Sequence, residues 1–290
     1  MQYGVTFPQT ESGADPSAIR DFGEAVEAMG FDYLLAYDHV LGADPSARPG
    51  EANRRFPYTY KSTFHEPLVL FGYLAAATTR LRFATGVIIL GQRQTALVAK
   101  QAAAVDVLSG GRLRFGVGSG WNEAEYEALG MDFHTRGARY SEQIEVLRAL
   151  WTQEVVTFRG KWHTLVGVGI NPLPVQRPIP VWMGGSAEAA IRRIAQIGNG
   201  WIVNGGLSDE TQVKIGRMRD YAKLAGRDAS SIGIEGSVHV RNVTPADMPK
   251  VVEQWRSVGA THVVFNTMGA GFTSLEQHAE ALRKIKACFS

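Results

Sequence analysis

His39 and its neighbour Asp38 follow a hydrophobic run at residues 31–37, which places an imidazole where a strand ends and a loop begins. A neutral histidine there can take or give a substrate proton, and the adjacent carboxylate can orient the ring or contact a cofactor. The same pair would also suit a histidine bonded into loop structure. Three further strand-like runs break into glycine or a helix start: Ala84-Thr85-Gly86-Val87-Ile88, Gly116-Val117-Gly118-Ser119-Gly120-Trp121-Asn122 and Val181-Trp182-Met183-Gly184-Gly185-Ser186. At the last of these, free amides and the dipole of the following helix favour a phosphate, whereas a serine N-cap accounts for the same residues without a ligand. Gly116-x-Gly118 opens like a dinucleotide fingerprint, but Trp121 stands where the third glycine belongs. Close approach of backbone to a flat ligand, or tight turning alone, fits these glycines better.

Other chemistries are poorly served. The seven histidines show no H-x-H or H-E-x-x-H spacing, so no metal site is expected. No lysine lies within a strand-like run, which disfavours a Schiff-base aldolase. Along residues 232–240, Glu235, Ser237 and His239 alternate onto one face, so Glu235 is expected as a buried polar tie and His239 near the mouth. Cys288 is the single cysteine, which excludes an intrachain disulfide and suits a reducing, cytoplasmic setting. A net charge of +2 gives no basic track for nucleic acid, and residues 68–77 are too short to span a bilayer.

These groups need a frame that brings strand ends together. Apolar residues make up 45% of the chain and charged residues 20%, enough nonpolar surface for a substantial core. Eight strand-like runs recur at 2–7, 31–37, 81–88, 113–118, 179–183, 201–204, 232–240 and 262–266, with helical stretches between them. Asp15 and Ser17 can cap a first helix ending near Gly30. Residues 65–79, 95–108, 187–197, 209–224, 246–258 and 275–286 supply further helices, and Ser109-Gly110-Gly111 stops the third-unit helix. Eight such units predict a closed (β/α)8 TIM barrel, one α/β domain over residues 1–290.

Two connections are longer than a barrel needs, 40–64 and 152–177. The first carries Arg48, Arg54, Arg55, Phe56, Tyr58, Tyr60 and Lys61 and could lid a site with aromatic walls. The second reads as a hairpin around Arg159-Gly160-Lys161.

Taken together these segments resemble the luciferase-like monooxygenase superfamily, and especially its branch using the deazaflavin coenzyme F420. The likeness covers nearly the whole chain. It is most specific from Thr85-Gly86-Val87 through Lys100-Gln101 and Asp106-Val107-Leu108-Ser109-Gly110-Gly111-Arg112 to Gly116–Trp121, and Pro180–Ser186 and Gly198-Asn199-Gly200-Trp201 extend it. The resemblance implies a bacterial-luciferase-like barrel with insertions at its C-terminal mouth and a bulge with a nonproline cis peptide at Gly86-Val87. It also implies Asp38 and Asn122 near the cofactor ring, Gly118 and Ser119 at its edge, and Met183, Gly184, Gly185 and Ser186 near ribityl and phosphate.

On the same footing His39 corresponds to an acid/base for hydride transfer between F420 and a small organic substrate. Ser119 replaces the glutamate that partners this histidine in the sugar-phosphate dehydrogenases, and Ala43 replaces a tryptophan, so glucose 6-phosphate is a poor substrate guess. The alternatives are an FMN-dependent monooxygenase using oxygen and a separate flavin reductase, and, from another class, a noncatalytic flavin-binding protein. Homodimers are common in the family.

Overall fold

The computed structural model describes residues 1–47 and 58–289. Arg48, Arg54, Arg55 and Phe56 of the first insertion lie outside the described residues. The strands are β1 (Gln2–Thr6), β2 (Tyr33–Ala36), β3 (Arg82–Thr85), β4 (Ile88–Ile89), β5 (Leu113–Gly118), β6 (Val156–Arg159), β7 (Thr164–Val168), β8 (Val181–Gly184), β9 (Gly200–Ile202), β10 (Gly233–His239) and β11 (His262–Asn266). The parallel order β3-β2-β1-β11-β10-β9-β8-β5 returns on itself through pairing of β5 with β3. Eight strands therefore close into the barrel that the alternating pattern predicts, and β4 prolongs β3 beyond an interruption.

That interruption is visible in the register. Ala84 lies opposite Arg114 and Ile88 opposite Val117, so four steps on one strand face three on the other. One extra residue makes a bulge, and the Gly86-Val87 peptide within it is cis, as the resemblance implies. The glycines of the neighbouring strands make room for it. A Cβ on Gly118 would lie 2.5 Å from Val87, one on Gly184 3.2 Å from Val87, and one on Gly116 only 1.9 Å from the Thr85 carbonyl oxygen. Strand glycines read in the sequence as serving a flat ligand or a tight turn also accommodate the bulge, because the kinked segment leans into the space their side chains would fill.

The helices are α1 (Pro16–Ala28), α2 (Pro67–Ala77), α3 (Thr95–Leu108), α4 (Glu123–Ala128), α5 (Arg136–Thr152), α6 (Glu188–Ile197), α7 (Asp209–Leu224), α8 (Met248–Ser257) and α9 (Leu275–Ala287). Asp15 caps α1 by accepting from the Ser17 amide at 3.0 Å, with Pro16 in the first turn. After α3 the chain reverses through Gly110 and Gly111, both at positive φ. In α5, Tyr140, Ile144, Leu147 and Trp151 recur at helical spacing and are buried. The second insertion forms the expected hairpin of β6 and β7, with Arg159 opposite Thr164. Glu142 of α5 pins its turn, accepting from the amides of Lys161, Trp162 and His163 at 2.7–2.9 Å.

Among the described residues no helix is long and apolar enough to cross a membrane. The interior of the barrel is plugged by Arg114, whose guanidinium pairs with Glu235 and lies 4.3 Å from the Tyr33 ring centre and 4.4 Å from that of Trp182. Glu235 is the buried tie expected from its place on the seventh barrel strand. Burial, reinforced by the charges of Arg114 and Arg82, pushes the neighbouring His262 down to about 3, so it stays neutral. Cavities lie toward both ends, one of about 210 Å³ among Gln2, Tyr33, Arg82 and His262 where the strands begin, and others where β2, β5 and β10 terminate.

Because the missing Gly116 side chain is filled by backbone rather than by a flexible group, Gly116→Ala should destabilise the protein by about 1–3 kcal/mol. Equilibrium urea unfolding measures this, and a midpoint equal to the parent's would mean the bulge does not need that space.

Candidate active site

β2 delivers Tyr37, Asp38 and His39 to the mouth. Asp38 and His39 then part company. The Asp38 carboxylate is buried and accepts from the Ile89 amide at 2.9 Å and from Arg93 at 2.6 and 3.2 Å. It ties the strand beyond the bulge to its flank, so the expectation that it orients His39 fails: successive residues of an extended chain point to opposite sides.

The partner of His39 is Glu125, whose Oε2 lies 3.3 Å from Nδ1 of the ring. Glu125 comes from the first turn of α4 and is 2% exposed. Its Oε1 accepts from the amides of Val40 (2.7 Å) and Leu41 (3.1 Å), and its Oε2 from the Tyr58 hydroxyl (3.1 Å). Burial alone would raise this carboxyl, but the hydrogen bond and charge of His39 and the two amides outweigh it and hold Glu125 below the usual carboxylate range. The site therefore keeps a carboxylate behind the imidazole even though Ser119 stands where related enzymes place one. Asn122-x-x-Glu125 has capping-box spacing, the one local signal for it. Asn122 does cap α4, accepting from the Ala124 amide at 3.2 Å, but Glu125 turns to the β2 loop instead of back to its own helix.

Tyr58, near the far end of the first insertion, stacks on His39 with ring centres 3.8 Å apart and an angle of 32°, and Phe64 meets the imidazole edge at 5.0 Å. Asn122 donates to the Tyr58 oxygen at 2.8 Å, while Tyr58 donates to Glu125. Burial and then the charge of Glu125 push the Tyr58 phenol well up, so it remains a donor. One N–H of the Asn122 amide is thus given to Tyr58. At the neck of the insertion a Cβ on Gly42 would lie 2.3 Å from Thr59, so the start and end of the loop are in contact.

Two adjoining cavities meet at Tyr37 and His239. One of about 220 Å³ lies against the bulge and is lined by Gly86, Leu35, Asn204, Gly205 and Ser237 as well. The other, of about 450 Å³, is lined by His39, Tyr58, Phe64, Asn266 and Arg241 among others. His239 reaches the mouth as its position on the strand predicts, and burial followed by the charge of Arg241 lowers its basicity. Val87 packs toward Gly118 and Gly184, and the Ser119 carbonyl is held by the Tyr126 hydroxyl at 2.7 Å.

The turn into α6 is open to an anion. Its N-cap is Ala187 with no side-chain cap, so the serine cap considered for Ser186 is not formed and Ser186 is exposed. Gly185 has φ +131°, and its carbonyl is fixed by Trp201 Nε1 at 2.9 Å. The uncapped amides after this glycine turn fit a phosphate. Met183 does not face the same way. It is 1% exposed, with its sulfur 3.3 Å from the position a Gly198 Cβ would take, so strand alternation turns its side chain into the packing around α6 and leaves only its backbone for a ligand.

The profile of the luciferase-like monooxygenase family matches residues 1–288. An uncharacterised protein of Mycobacterium tuberculosis is 36% identical over 232 residues, 77% of each chain. An FMNH2-dependent dimethylsulfone monooxygenase of Pseudomonas fluorescens is 29% identical over 253 residues, 85% of this chain and 64% of that one. Among solved structures, an F420-dependent secondary alcohol dehydrogenase in complex with an F420-acetone adduct superposes with a TM-score of 0.76 at 16% identity, covering 100% of this chain and 99% of that chain, a likeness of fold. With its closed parallel barrel, the bulge after β3 and a family match along nearly its whole length, this chain is an enzyme of the luciferase-like monooxygenase family.

Proposed function

We propose that the protein is an F420-dependent oxidoreductase that moves a hydride between the deazaflavin and a small organic substrate, with His39 as acid/base. The observation that carries this reading is the His39–Glu125 pair at a cavity that adjoins a second cavity against the Gly86-Val87 bulge. Gly86 and Val87 would back the ring, and Gly184, Gly185 and Ser186 would hold phosphate through backbone amides. When bound, the reduced cofactor supplies the hydride for a carbonyl carbon. His39 supplies the proton to the carbonyl oxygen, giving an alcohol, and in the opposite direction takes it back. Glu125 at Nδ1 stabilises the charged imidazole and leaves Nε2 for the substrate. Tyr58 on the face of the ring and Phe64 at its edge keep it aligned.

A second reading is an FMNH2-dependent monooxygenase served by a separate reductase, favoured by the 29% identity with the dimethylsulfone enzyme. Parallel anaerobic titration with F420 and FMN, each oxidised and reduced, separates the two. We expect tighter binding of F420, whereas preference for reduced FMN would move the assignment to oxygen chemistry.

His39→Ala should lose about 10²- to 10⁴-fold in turnover with cofactor affinity nearly unchanged, and undiminished turnover would remove His39 as the acid. A second test concerns linkage. Since the folded-state value of Glu125 is lowered, its charge contributes stability above the usual carboxylate pKa, and that contribution disappears as pH falls through the lowered value. Glu125→Gln should therefore be less stable than the parent in urea at neutral pH, with the gap closing below about pH 4. A gap independent of pH would contradict a stabilising charge on Glu125.

A further inference from the structure

Opposite His39, the larger cavity is bounded by the end of β10 and the loop after β11. There the His239 ring makes no hydrogen bond among the described residues, and the Arg241 guanidinium makes neither a hydrogen bond nor an ion pair among them, yet both line the cavity. Arg241 is exposed, whereas half-buried arginines of the barrel are engaged: Arg93 with Asp38 and Glu66, Arg114 with Glu235, Arg112 with four acceptors. Space for the Arg241 guanidinium is built in, since Gly269 has φ +73° and a Cβ there would sit 3.0 Å from Arg241 Nη1. The one carboxylate on this wall among the described residues, Glu11, accepts from the Gly269 amide at 2.8 Å and lies 3.1 Å from Nε2 of the buried His278. Between the two ends the walls are largely apolar, supplied by Tyr37, Tyr58, Phe64 and Met268.

We propose that the substrate is a monocarboxylate whose anionic end pairs with Arg241 and whose reacting carbon lies at His39, the two joined by an apolar segment. The proposal rests on the acid/base reading of His39 for its reacting end, but not on the identity of the cofactor. Arg241 offers a planar fork suited to a carboxylate, and His239 adds a second polar group from the same strand end. Burial, and then the charge of Arg241, keep His239 neutral, so among the described residues Arg241 is the single cation on this wall. Glu11 sets the limit of one negative charge, because a second carboxylate near it would meet repulsion.

The test is calorimetric titration of the full-length protein, both cofactor-free and loaded with whichever cofactor it prefers, using hexanoate and hexanamide, which differ by one charge. Hexanoate should bind about tenfold more tightly, consistent with a charge-assisted pair at a partly exposed site. The preference should vanish in Arg241→Gln and persist in Arg283→Gln, an exposed control paired with Glu280 on α9. Equal binding of the two probes, an unchanged preference in Arg241→Gln, or no binding of hexanoate in either form would overturn the proposal. None of these outcomes depends on turnover, so they are separable from a failure of the F420 assignment, which the cofactor titration reports.

Discussion

The carboxylate of Glu125 holds the mouth of this barrel together. It is nearly fully buried, and its two oxygens gather the His39 ring, the amides of Val40 and Leu41 and the hydroxyl of Tyr58. An uncompensated buried carboxylate would be costly, so each of these donors is needed, and each fixes a different segment. His39 belongs to the end of β2, Val40 and Leu41 to the start of the long insertion, and Tyr58 to its return. One charge thereby joins a candidate proton carrier to the two described ends of the insertion.

The bulge after β3 plays the corresponding part for the other cavity. It requires one extra residue in the strand and glycines at 116, 118 and 184 to receive it. Asp38 then secures the segment beyond the bulge through Ile89 and Arg93. Adjacent residues at the end of one strand thus serve the two cavities separately, Asp38 supporting the bulge and His39 the larger cavity. Deep in the barrel, the buried Arg114–Glu235 pair between Tyr33 and Trp182 blocks the opposite end. Such a pair costs desolvation and gains from good geometry and surrounding aromatic faces. It separates the two cavities beside His239 from one of about 210 Å³ at the other end of the strands, lined by Tyr33, Trp182 and His262.

Much of this was legible from local pattern. The eight strand runs, the caps at Asp15 and Ser109-Gly110-Gly111, and the hairpin near Arg159 all follow from periodicity and turn chemistry, which act over a few residues. The position of His39 at a strand end was legible for the same reason. The roles of its neighbours were less so. Asp38 was read by proximity in sequence, although strand alternation sends adjacent side chains apart. Met183 was placed toward a ligand by its motif, although the same alternation buries it. Ser186 had the composition of a cap without its geometry.

By itself, then, the sequence determined the barrel and the histidine at the mouth, because apolar alternation and helix-end signals are encoded residue by residue, while the bulge position came from the family resemblance. Tertiary structure alone decided which carboxylate reaches that histidine, which aromatic ring lies on it, and which arginine is left facing the cavity without an acid. Glu125 stands 86 positions from His39, and nothing local links them. Their meeting depends on how α4 packs against the loop leaving β2, a matter of distances across the barrel mouth that no spacing along the chain can specify.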